Sequence, residues 1–367
     1  APIIRPMKIL HGLQRAAPAS GCALTIGNFD GVHRGHQAML ALLREQAARR
    51  GLPSCVLTFE PHPRDYFAAL HQQPALAPAR ISTLRDKLHA LAALGIAQTV
   101  ILPFNAALAA LSAQQFVQQV LVQGLGARYM LAGDDFRFGA QRQGDYEQLA
   151  RLGAAHGFEV ADMQSYAMQD LRVSSTAVRQ ALHVGDMEAA ARLLGRPYAI
   201  SGHVVHGRKL GRELGCPTLN LRFSHWKPAA SGTFVVQVHG LTGGAAAGLA
   251  GAALGQAAPL QGVANLGIRP SIDPHDINGG RVLLETHCLQ WPAALGSNGG
   301  YGKIVRVELL HKLHDERKYT SLAALQQGIA QDCADARAWF ASQPEAGQQS
   351  ASHRSASTRR QTTRDRI

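Results

Sequence analysis

Two histidines three positions apart follow a short apolar run near the start of the chain. Residues 27–37 read GNFDGVHRGHQ, with His33 and His36 at the turn, and the apolar run 22–26 comes before them. A strand that turns through glycines into a helix presents unpaired backbone N–H groups and a positive dipole end, which suits a phosphate. Because both imidazoles can face the same anion, the string predicts a phosphate-binding site. Taken alone, it could also be a glycine-rich turn with two surface histidines.

His-x-Gly-His in this strand–loop–helix setting resembles the nucleotide-binding signature of the nucleotidylyltransferase superfamily, which implies transfer at the α-phosphate of ATP. A phosphate that attacks there is already an anion, so no general base is required. The protein only has to align the groups and offset the growing charge with N–H donors and Mg²⁺. His33 and His36 fit as such donors.

Three further strings of the first half carry chemically interesting side chains. Residues 58–63 (TFEPHP) hold His62 between two prolines, which makes a rigid wall suited to a flat ligand, although a plain strand exit looks similar. Residues 131–139 (LAGDDFRFG) interleave aromatic and charged side chains, which suits an isoalloxazine ring with its phosphate, or a solvated loop. In 173–179 (VSSTAVR) the hydroxyls can cap a helix, and Arg179, one turn further on, could reach a phosphate at the helix start.

The second half has a glycine-rich segment and an isolated carboxylate. Residues 202–221 (GHVVHGRKLGRELGCPTLNL) let backbone approach a phosphate closely, or form a flexible hairpin. Thr218 and Asn220 alternate to one face of an extended segment, so hydroxyl and amide could share one Mg²⁺-ATP. Glu285 is the acidic residue within the long apolar run 282–289, where a lone carboxylate is more often at an edge or ion-paired.

The first half alternates between apolar runs and helical patterns, which predicts a Rossmann-like α/β domain with a parallel sheet. The predicted strands are 23–26, 56–59, 100–102 and 129–132, and the predicted helices are 37–49, 84–94, 113–122 and 146–156. Ligands of such sheets gather at the carboxyl ends of the strands, where the strings 27–37, 58–63 and 131–139 fall.

The pattern of the sequence changes after two predicted helices at 175–183 and 187–194. Short β-like runs separated by Gly, Pro and Asn, without helices between them, predict an antiparallel β-barrel from 198 to about 310. The runs lie at 199–205, 233–239, 261–266, 282–289 and 303–310. The domain boundary is expected near 185–197, a Gly/Ala-biased loop is expected at 241–259, and the helix 322–340 is expected to cover the barrel.

Length and charge bound the class of protein. A chain of 367 residues exceeds what one core usually serves, so two domains are expected. The net charge of +12 raises the hypothesis of a nucleic-acid partner. The residues outside the tail 343–367 have no dense basic block, and aromatic residues are only 6% of the chain, so polyphosphate ligands explain the charge at least as well. We therefore expect no nucleic-acid partner, and a tail that is disordered.

Two other classes are not favoured. No apolar run approaches the length that crosses a bilayer, and the start of the chain lacks the layout of a signal peptide, so no membrane association is expected. The five cysteines are widely spaced and mostly lie in apolar segments, as reduced thiols of a cytoplasmic protein do.

Taken together, the four strings of the first half resemble the bifunctional bacterial riboflavin kinase/FMN adenylyltransferase (FAD synthetase) family. They stand in that family's order and spacing. In the second half, 217–220 (PTLN) is similar to the kinase Pro-Thr-Ala-Asn motif, and 261–271 (QGVANLGIRPS) and 284–287 (LETH) also match. The resemblance covers about residues 8–342.

The resemblance implies two activities on small molecules. An FMN adenylyltransferase domain at 1–190 would join AMP from ATP to FMN, giving FAD and pyrophosphate. A riboflavin kinase domain at 196–342 would phosphorylate riboflavin to FMN with ATP and Mg²⁺, and a basic tail at 343–367 would follow. A monomer or weak homo-oligomer is expected.

The resemblance also implies residue roles. ATP of the adenylyltransferase would contact Gly27, Asn28, Phe29, Asp30, Gly31, His33, His36, Ser174, Ser175, Thr176 and Arg179, with His33, His36 and Arg179 catalytic. The flavin there would contact Phe59, Pro61, His62, Pro63, Asp134, Asp135 and Phe136. ATP of the kinase would contact Gly207, Lys209, Gly211, Gly215, Thr218 and Asn220, the last two also holding Mg²⁺. Glu285 would be the general base that the attacking ribityl hydroxyl requires.

One segment departs from the family pattern, and two alternatives stay open. Residues 290–302 (QWPAALGSNGGYG) replace an Asp-rich turn and keep only Tyr301 and Gly302 of it. The first alternative is a single-activity nucleotidylyltransferase whose barrel senses flavin. The second is a basic nucleic-acid-binding protein with a vestigial ATP fold.

Overall fold

The structure is a computed structural model that describes residues 6–13, 20–133, 136–163, 173–206, 218–222, 227–241, 258–269, 281–296 and 299–343. By Cα proximity it divides into two compact units, Ala1–Glu316 and Arg317–Ile367. None of the helices it describes has the length and apolar character that a membrane crossing demands.

A six-stranded parallel sheet forms the centre of the N-terminal half. Its strands are β1 (Lys8–His11), β2 (Cys22–Ile26), β3 (Ser54–Glu60), β4 (Gln98–Pro103), β5 (Ala127–Ala132) and β6 (Glu159–Asp162). Their order across the sheet is β1-β4-β3-β2-β5-β6. The chain order reverses at β2, so the loop that leaves β2 lies at the switch point where open parallel sheets bind ligands.

Helices cover both faces of this sheet. They are α1 (Arg34–Arg49), α2 (Pro63–Leu70), α3 (Leu84–Ala93), α4 (Ala106–Ala109), α5 (Ala113–Gln115) and α6 (Tyr146–His156). Short polar side chains cap several of them: Thr83 starts α3, Asp145 starts α6, and Ser112 with Gln115 forms the capping box of α5.

Alternate residues of the central strands belong to two separate hydrophobic cores, one on each face of the sheet. Leu24 packs with Leu57 and Leu121 on one face, whereas its neighbour Ala23 packs with Leu40 and Leu91 on the other. This alternation follows from the period of two along a strand, and each face needs its own helical layer.

The predicted strands and helices of this half are present, with several differences. The edge strands β1 and β6 and the helices α2 and α4 have no counterpart among the predictions. β1 and β6 are short and only partly buried, so their apolar signal is weak. The predicted helix 113–122 continues beyond α5 as a π-helix, Phe116–Gly124, which nothing in the sequence marks.

The C-terminal half is a closed antiparallel barrel, as predicted. Its strands are β7 (Tyr198–Val205), β8 (Thr218–Arg222), β9 (Gly232–His239), β10 (Leu260–Arg269), β11 (Arg281–Cys288) and β12 (Ile304–His314). They close in the order β10-β11-β8-β7-β12-β9. The Gly/Ala-biased insertion joins the paired strands β9 and β10, and its residues 242–257 lie outside the described ranges.

Two helices between the sheet and the barrel share the barrel's core. They are α7 (Ser175–Val184) and α8 (Met187–Leu194), each ended by a left-handed glycine. Val178, Leu182 and Leu194 are buried in one cluster with barrel residues such as Ile200 and Val307. The boundary predicted near 185–197 is therefore bridged by apolar packing, and the domain limits stay a prediction.

In the second compact unit the structure describes residues 317–343, which include the helix α9 (Leu322–Ser342). Ser321 caps it by accepting the backbone N–H of Ala324 at 3.1 Å. That this helix covers the barrel stays a prediction, as does disorder in the tail, whose residues 344–367 lie outside the described ranges.

Candidate active sites

The loop between β2 and α1 places its first histidine at the helix start. His33 is the N-cap of α1, and its Nδ1 accepts the backbone N–H of His36 at 3.3 Å. A neutral ring that accepts at Nδ1 carries its proton on Nε2, where it can donate to an anion. The sixteen-residue helix adds the positive end of its dipole at the same place.

The two histidine rings of this loop are stacked and neutral. Their centroids lie 3.7 Å apart at an interplanar angle of 15°. Burial lowers the pKa of His33 to about 4, against the opposing charge of Asp30. Burial and the neighbouring His33 hold the pKa of His36 well below its ordinary value. The Nδ1 atom of His36 is buried without a hydrogen-bond partner among the described residues.

Asp30 anchors the loop from within. Its carboxylate, 2% exposed, accepts the backbone N–H groups of Ile81 and Ser82 at 3.1 Å and faces Arg179 Nη2 at 2.8 Å. Burial alone would raise the pKa of Asp30, but Arg80, Arg179 and the two amides outweigh it and lower the pKa. The carboxylate therefore stays charged and fixes the loop to the segment before α3.

The start of α7 lies against the same loop. Ser174 caps this helix by accepting the N–H of Ala177, and Ser175 Oγ donates to the Asp30 carbonyl at 3.3 Å. A Cβ at Gly35 would lie 2.9 Å from the carbonyl oxygen of Val173, so only glycine permits this approach. The two motifs, which are 140 residues apart in the chain, thus meet in one site.

Arg179 makes contacts that the sequence did not predict. Besides the ion pair with Asp30, its Nε donates to the carbonyl of Ala79 at 2.7 Å. Its side chain is 22% exposed, so part of the guanidinium faces outward. Its predicted contact with ATP stays a prediction.

A buried lysine below the loop was missed by the sequence analysis. Lys87 is 1% exposed, and its Nζ donates to Thr58 Oγ1 at 3.4 Å. Burial, with the charge of Arg80, lowers the pKa of Lys87 to about 8. The signal was available, because Lys87 interrupts the apolar stripe of Leu84, Leu88 and Leu91 on α3.

The residues predicted to hold flavin at 58–63 lie at the end of β3. His62 caps α2, its Nδ1 accepting the N–H of Arg64 at 3.1 Å, and Pro63 is the first residue of that helix. Burial and Arg80 lower the pKa of His62 to about 3. Pro61 follows a cis peptide bond, and Phe59 is half-buried.

Aromatic side chains surround Phe59. The ring of Phe104, which follows β4, lies 5.8 Å from that of Phe59 in an edge-on arrangement, and Tyr66 and Phe67 of α2 lie within 6 Å of Phe104. None of these three was predicted to lie in the site; Tyr66 and Phe67 belong to α2, which was not predicted either. On the other side of β2, Phe136 stacks on Phe138 at 5.4 Å; Asp134 and Asp135 lie outside the described residues.

In the barrel, one row of polar residues crosses three adjacent strands. Glu285 of β11 is paired in register with Asn220 of β8 on one side and with Asn265 of β10 on the other. Side chains at paired positions share one face, about 5 Å apart at Cβ. The Oδ1 atoms of Asn220 and Asn265 are buried without a hydrogen-bond partner in the part of the chain that the structure describes.

This row faces away from the barrel core. Leu219, Leu284 and Leu266, the chain neighbours of the three polar residues, belong to the core cluster. Thr218 lies on the same face as Asn220, two residues away, as the alternation predicts. Asn265 was not singled out in the sequence analysis, although it lies in the string 261–271.

Part of the predicted kinase site lies outside the described residues, namely Gly207, Lys209, Gly211 and Gly215. The residue before that segment, His206, stacks on Tyr301 at 3.9 Å. Tyr301 belongs to the turn that departs from the family pattern, so this turn reaches the edge of the glycine-rich segment.

A parallel-sheet domain with a histidine-capped helix start, joined to a closed barrel with a carboxylate–amide row, fits the class of nucleotide-dependent transferases with two sites. Comparison with known proteins shows which families the two halves match. Residues 16–177 match the family model for FAD synthetase, and residues 194–340 match the model for riboflavin kinase.

Curated relatives match almost the whole chain. The bifunctional riboflavin kinase/FMN adenylyltransferase of Pseudomonas fluorescens is 42% identical over 90% of this chain and 97% of its own length. That of Escherichia coli K12 is 41% identical over 91% and 98%, and that of Haemophilus influenzae is 39% identical over 92% and 100%. The chain belongs to this family, with the adenylyltransferase in the N-terminal half and the kinase in the C-terminal half.

A solved structure also shares the fold. A crystal structure described as a macrolide-efflux protein from Streptococcus pneumoniae has a TM-score of 0.64 and 25% identity, covering 90% of this chain and 99% of that one.

Proposed function

We propose that the loop 27–37 and the start of α7 hold ATP and align its α-phosphate for attack by the phosphate of FMN. An FMN phosphate oxygen forms the new bond to the α-phosphorus, and pyrophosphate leaves. His33 donates from Nε2 while its Nδ1 stays bound to the helix, so the donor direction is fixed before the substrate arrives. Neutral, pre-aligned donors of this kind favour the charge that grows in the transition state.

The FMN of this reaction lies at the neighbouring strand ends. The half-buried Phe59 with Phe104, and Phe136 on the other side, supply flat apolar surfaces for an isoalloxazine ring. Lys87 and Arg80, buried nearby, add the positive charge that suits the FMN phosphate.

In the barrel, Glu285 takes the proton of the ribityl hydroxyl as that oxygen attacks the γ-phosphate of ATP, and ADP leaves. A base is needed here because a neutral alcohol is a weak nucleophile. The flanking amides of Asn220 and Asn265 orient the row, with unpaired oxygens ready for a hydroxyl or a cation.

Mg²⁺ fits the same row. Hard cations prefer oxygen ligands, and Mg²⁺ usually takes one or two from the protein and the rest from phosphates and water. The orphaned Oδ1 of Asn220 and the hydroxyl of Thr218 are the oxygens that would hold it. When bound there, the ion neutralises charge on the ATP phosphates.

The observation that carries the proposal is the convergence of two motifs 140 residues apart on one histidine-capped helix start. It is tested by substituting His36→Ala and Glu285→Gln in the full chain and separating the flavin products by chromatography. We expect His36→Ala to slow conversion of FMN to FAD by about 100-fold or more and to spare FMN formation. We expect Glu285→Gln to do the reverse, also by about 100-fold.

Two exposed residues provide matched controls. His71→Ala and Glu188→Gln should leave both activities unchanged, because these side chains are on the surface. If either active-site substitution removed both products from a folded protein, the assignment of one site to each half would be wrong. A wild-type chain that made FAD from FMN but no FMN from riboflavin would instead favour the flavin-sensing barrel.

We also propose that the enzyme works in the cytoplasm. Four cysteines, Cys22, Cys55, Cys288 and Cys333, are buried as thiols, which is typical of a reducing compartment, and ATP is supplied there. Labelling with a thiol reagent after denaturation, with and without prior reduction, tests the thiol state in protein taken directly from cells.

A further inference from the structure

The short segment between α8 and β7 reaches back to the loop that carries His33. Arg196 Nη2 donates to the carbonyl of Gly31 at 2.7 Å, and its Nη1 donates to the carbonyl of Val32 at 3.1 Å. Gln37, at the start of α1, donates from Nε2 to the same Val32 carbonyl at 2.9 Å and to that of Leu194 at 2.7 Å. Residues from both ends of the N-terminal half thus hold two consecutive carbonyls of the loop.

These carbonyls belong to the strained part of the loop. Val32 has φ +42°, in the left-handed region that β-branched residues rarely adopt, and Phe29 has φ +47°. Such conformations persist only where the surroundings hold them. Since His33 directly follows Val32, the direction in which the imidazole points depends on how firmly Val32 is held.

Tight packing does not explain the position of the Arg196 side chain. The residue lines a cavity of about 260 Å³ between the loop, α3 and the barrel, together with Arg306 and Asp86. Burial and the like charge of Arg306 lower the pKa of Arg196, so the guanidinium is held where its charge is not favoured. The negative charge of Asp86 and the hydrogen bonds to the carbonyls of Gly31, Val32 and Leu194 compensate for this.

We propose that Arg196 is a positioning residue for adenylyl transfer: it holds the strained loop so that His33 and His36 meet the ATP phosphates, and Gln37 shares this role. The inference rests on the proposed function of that loop. It places a determinant of the adenylyltransferase two residues before the first strand of the kinase barrel, outside the segment 16–177 that matches the FAD synthetase model.

The test compares Arg196→Ala with Arg192→Ala in the full chain. Arg192 is on α8 one turn earlier, is 63% exposed and pairs with Glu188, so its loss should change neither activity. We expect Arg196→Ala to lower kcat for FAD formation by about 10-fold or more, because small misplacements of catalytic groups have effects of this size. The rate of FMN formation from riboflavin should stay within about twofold, and Arg196→Lys should restore part of the lost rate.

A second variant keeps the test decisive if Arg196→Ala does not fold. Gln37→Glu retains the shape of the side chain but replaces the donor facing the Val32 carbonyl with an acceptor, so the same selective loss of FAD formation is expected. An unchanged kcat for FAD formation in both folded variants would overturn the inference. Equal losses in both activities would overturn it too, since they indicate general destabilisation.

The outcome is separable from that of the proposed function. If His36→Ala abolishes FAD formation and Arg196→Ala does not affect it, only the positioning role fails. If His36→Ala leaves FAD formation intact, the role of the loop itself fails.

Discussion

At the scale of single residues, two histidines of the proposed adenylyltransferase site accept backbone hydrogen bonds at helix starts. His33 and His62 both cap helices with Nδ1, a position usually filled by Ser, Thr, Asp or Asn. An imidazole can accept at Nδ1 only while that nitrogen has no proton. Capping and burial thus favour the same neutral form, and each ring presents Nε2–H to its surroundings.

This capping predicts a pH dependence of stability. A histidine with an ordinary pKa of 6.5 gains a proton in the unfolded chain as the pH falls, whereas His62, with a pKa of about 3, stays neutral in the folded one. The unfolded state then binds more protons, so stability is complete above about pH 6.5 and is lost as the pH falls towards 3. For His62 alone the loss at pH 5 is about 2 kcal/mol.

The substitution His62→Asn isolates this effect, because asparagine caps a helix but does not titrate. Urea unfolding at about pH 7.5 should give similar midpoints for the two proteins, and at about pH 5 the variant should be the more stable by about 2 kcal/mol. Parallel pH curves for the two proteins would contradict the neutral, capping role of His62.

At the scale of elements, the polar row across β8, β11 and β10 shows what strand pairing contributes to a site. Asn220, Glu285 and Asn265 are spread over 66 positions of the chain, and the barrel register brings them side by side. No local pattern of the sequence contains that register. Asn220 and Glu285 were singled out from an alternation and from an isolated carboxylate, and the family resemblance implied their roles, whereas Asn265 emerges only from the pairing.

We predict that Asn265→Ala lowers the rate of FMN formation by about 10-fold or more, since it removes a buried amide beside the base. FAD formation from FMN should be unaffected. The control is Gln261→Ala, four residues earlier on the same strand and exposed. If both variants phosphorylate riboflavin at the wild-type rate, the row is not the kinase site.

The elements also show how far sequence reasoning reaches. Long amphipathic patterns such as α6, and apolar runs such as β3, were predicted closely because burial on one or two faces leaves a clear period. The short partly buried edge strands, and α2 after the Pro-His-Pro string, were missed because their signals are local and weak. Lys87 was missed because periodicity along α3 does not reveal that its side chain contacts Thr58 of β3.

At the scale of the whole molecule, hydrogen bonds and apolar packing join the sheet half to the barrel half. Backbone hydrogen bonds join Arg80 to Lys227 and Ala229, and Asp86 accepts the N–H of Ser201. Helix α7 adds to this continuity: its first turn lies at the loop 27–37, and its apolar side is buried in the barrel's core cluster.

We predict that the barrel needs these helices to be stable. A fragment of residues 196–343 would expose the barrel surface that is now covered by Val178, Leu182, Met187 and Leu194. Burial of one such side chain stabilises the folded state by roughly 1.5–3 kcal/mol. A fragment of residues 173–343 retains them and should melt at a clearly higher temperature in calorimetry. Equal melting temperatures would show that the barrel core is complete without α7 and α8.

The sharing of α7 also sets an order of events on the ribosome. The sheet and the His33 loop emerge first, but the helix that completes their nucleotide site has an apolar side that only later-synthesised strands can cover. We therefore expect the nucleotide site encoded earlier in the chain to be completed only after the strands of the C-terminal barrel have been synthesised.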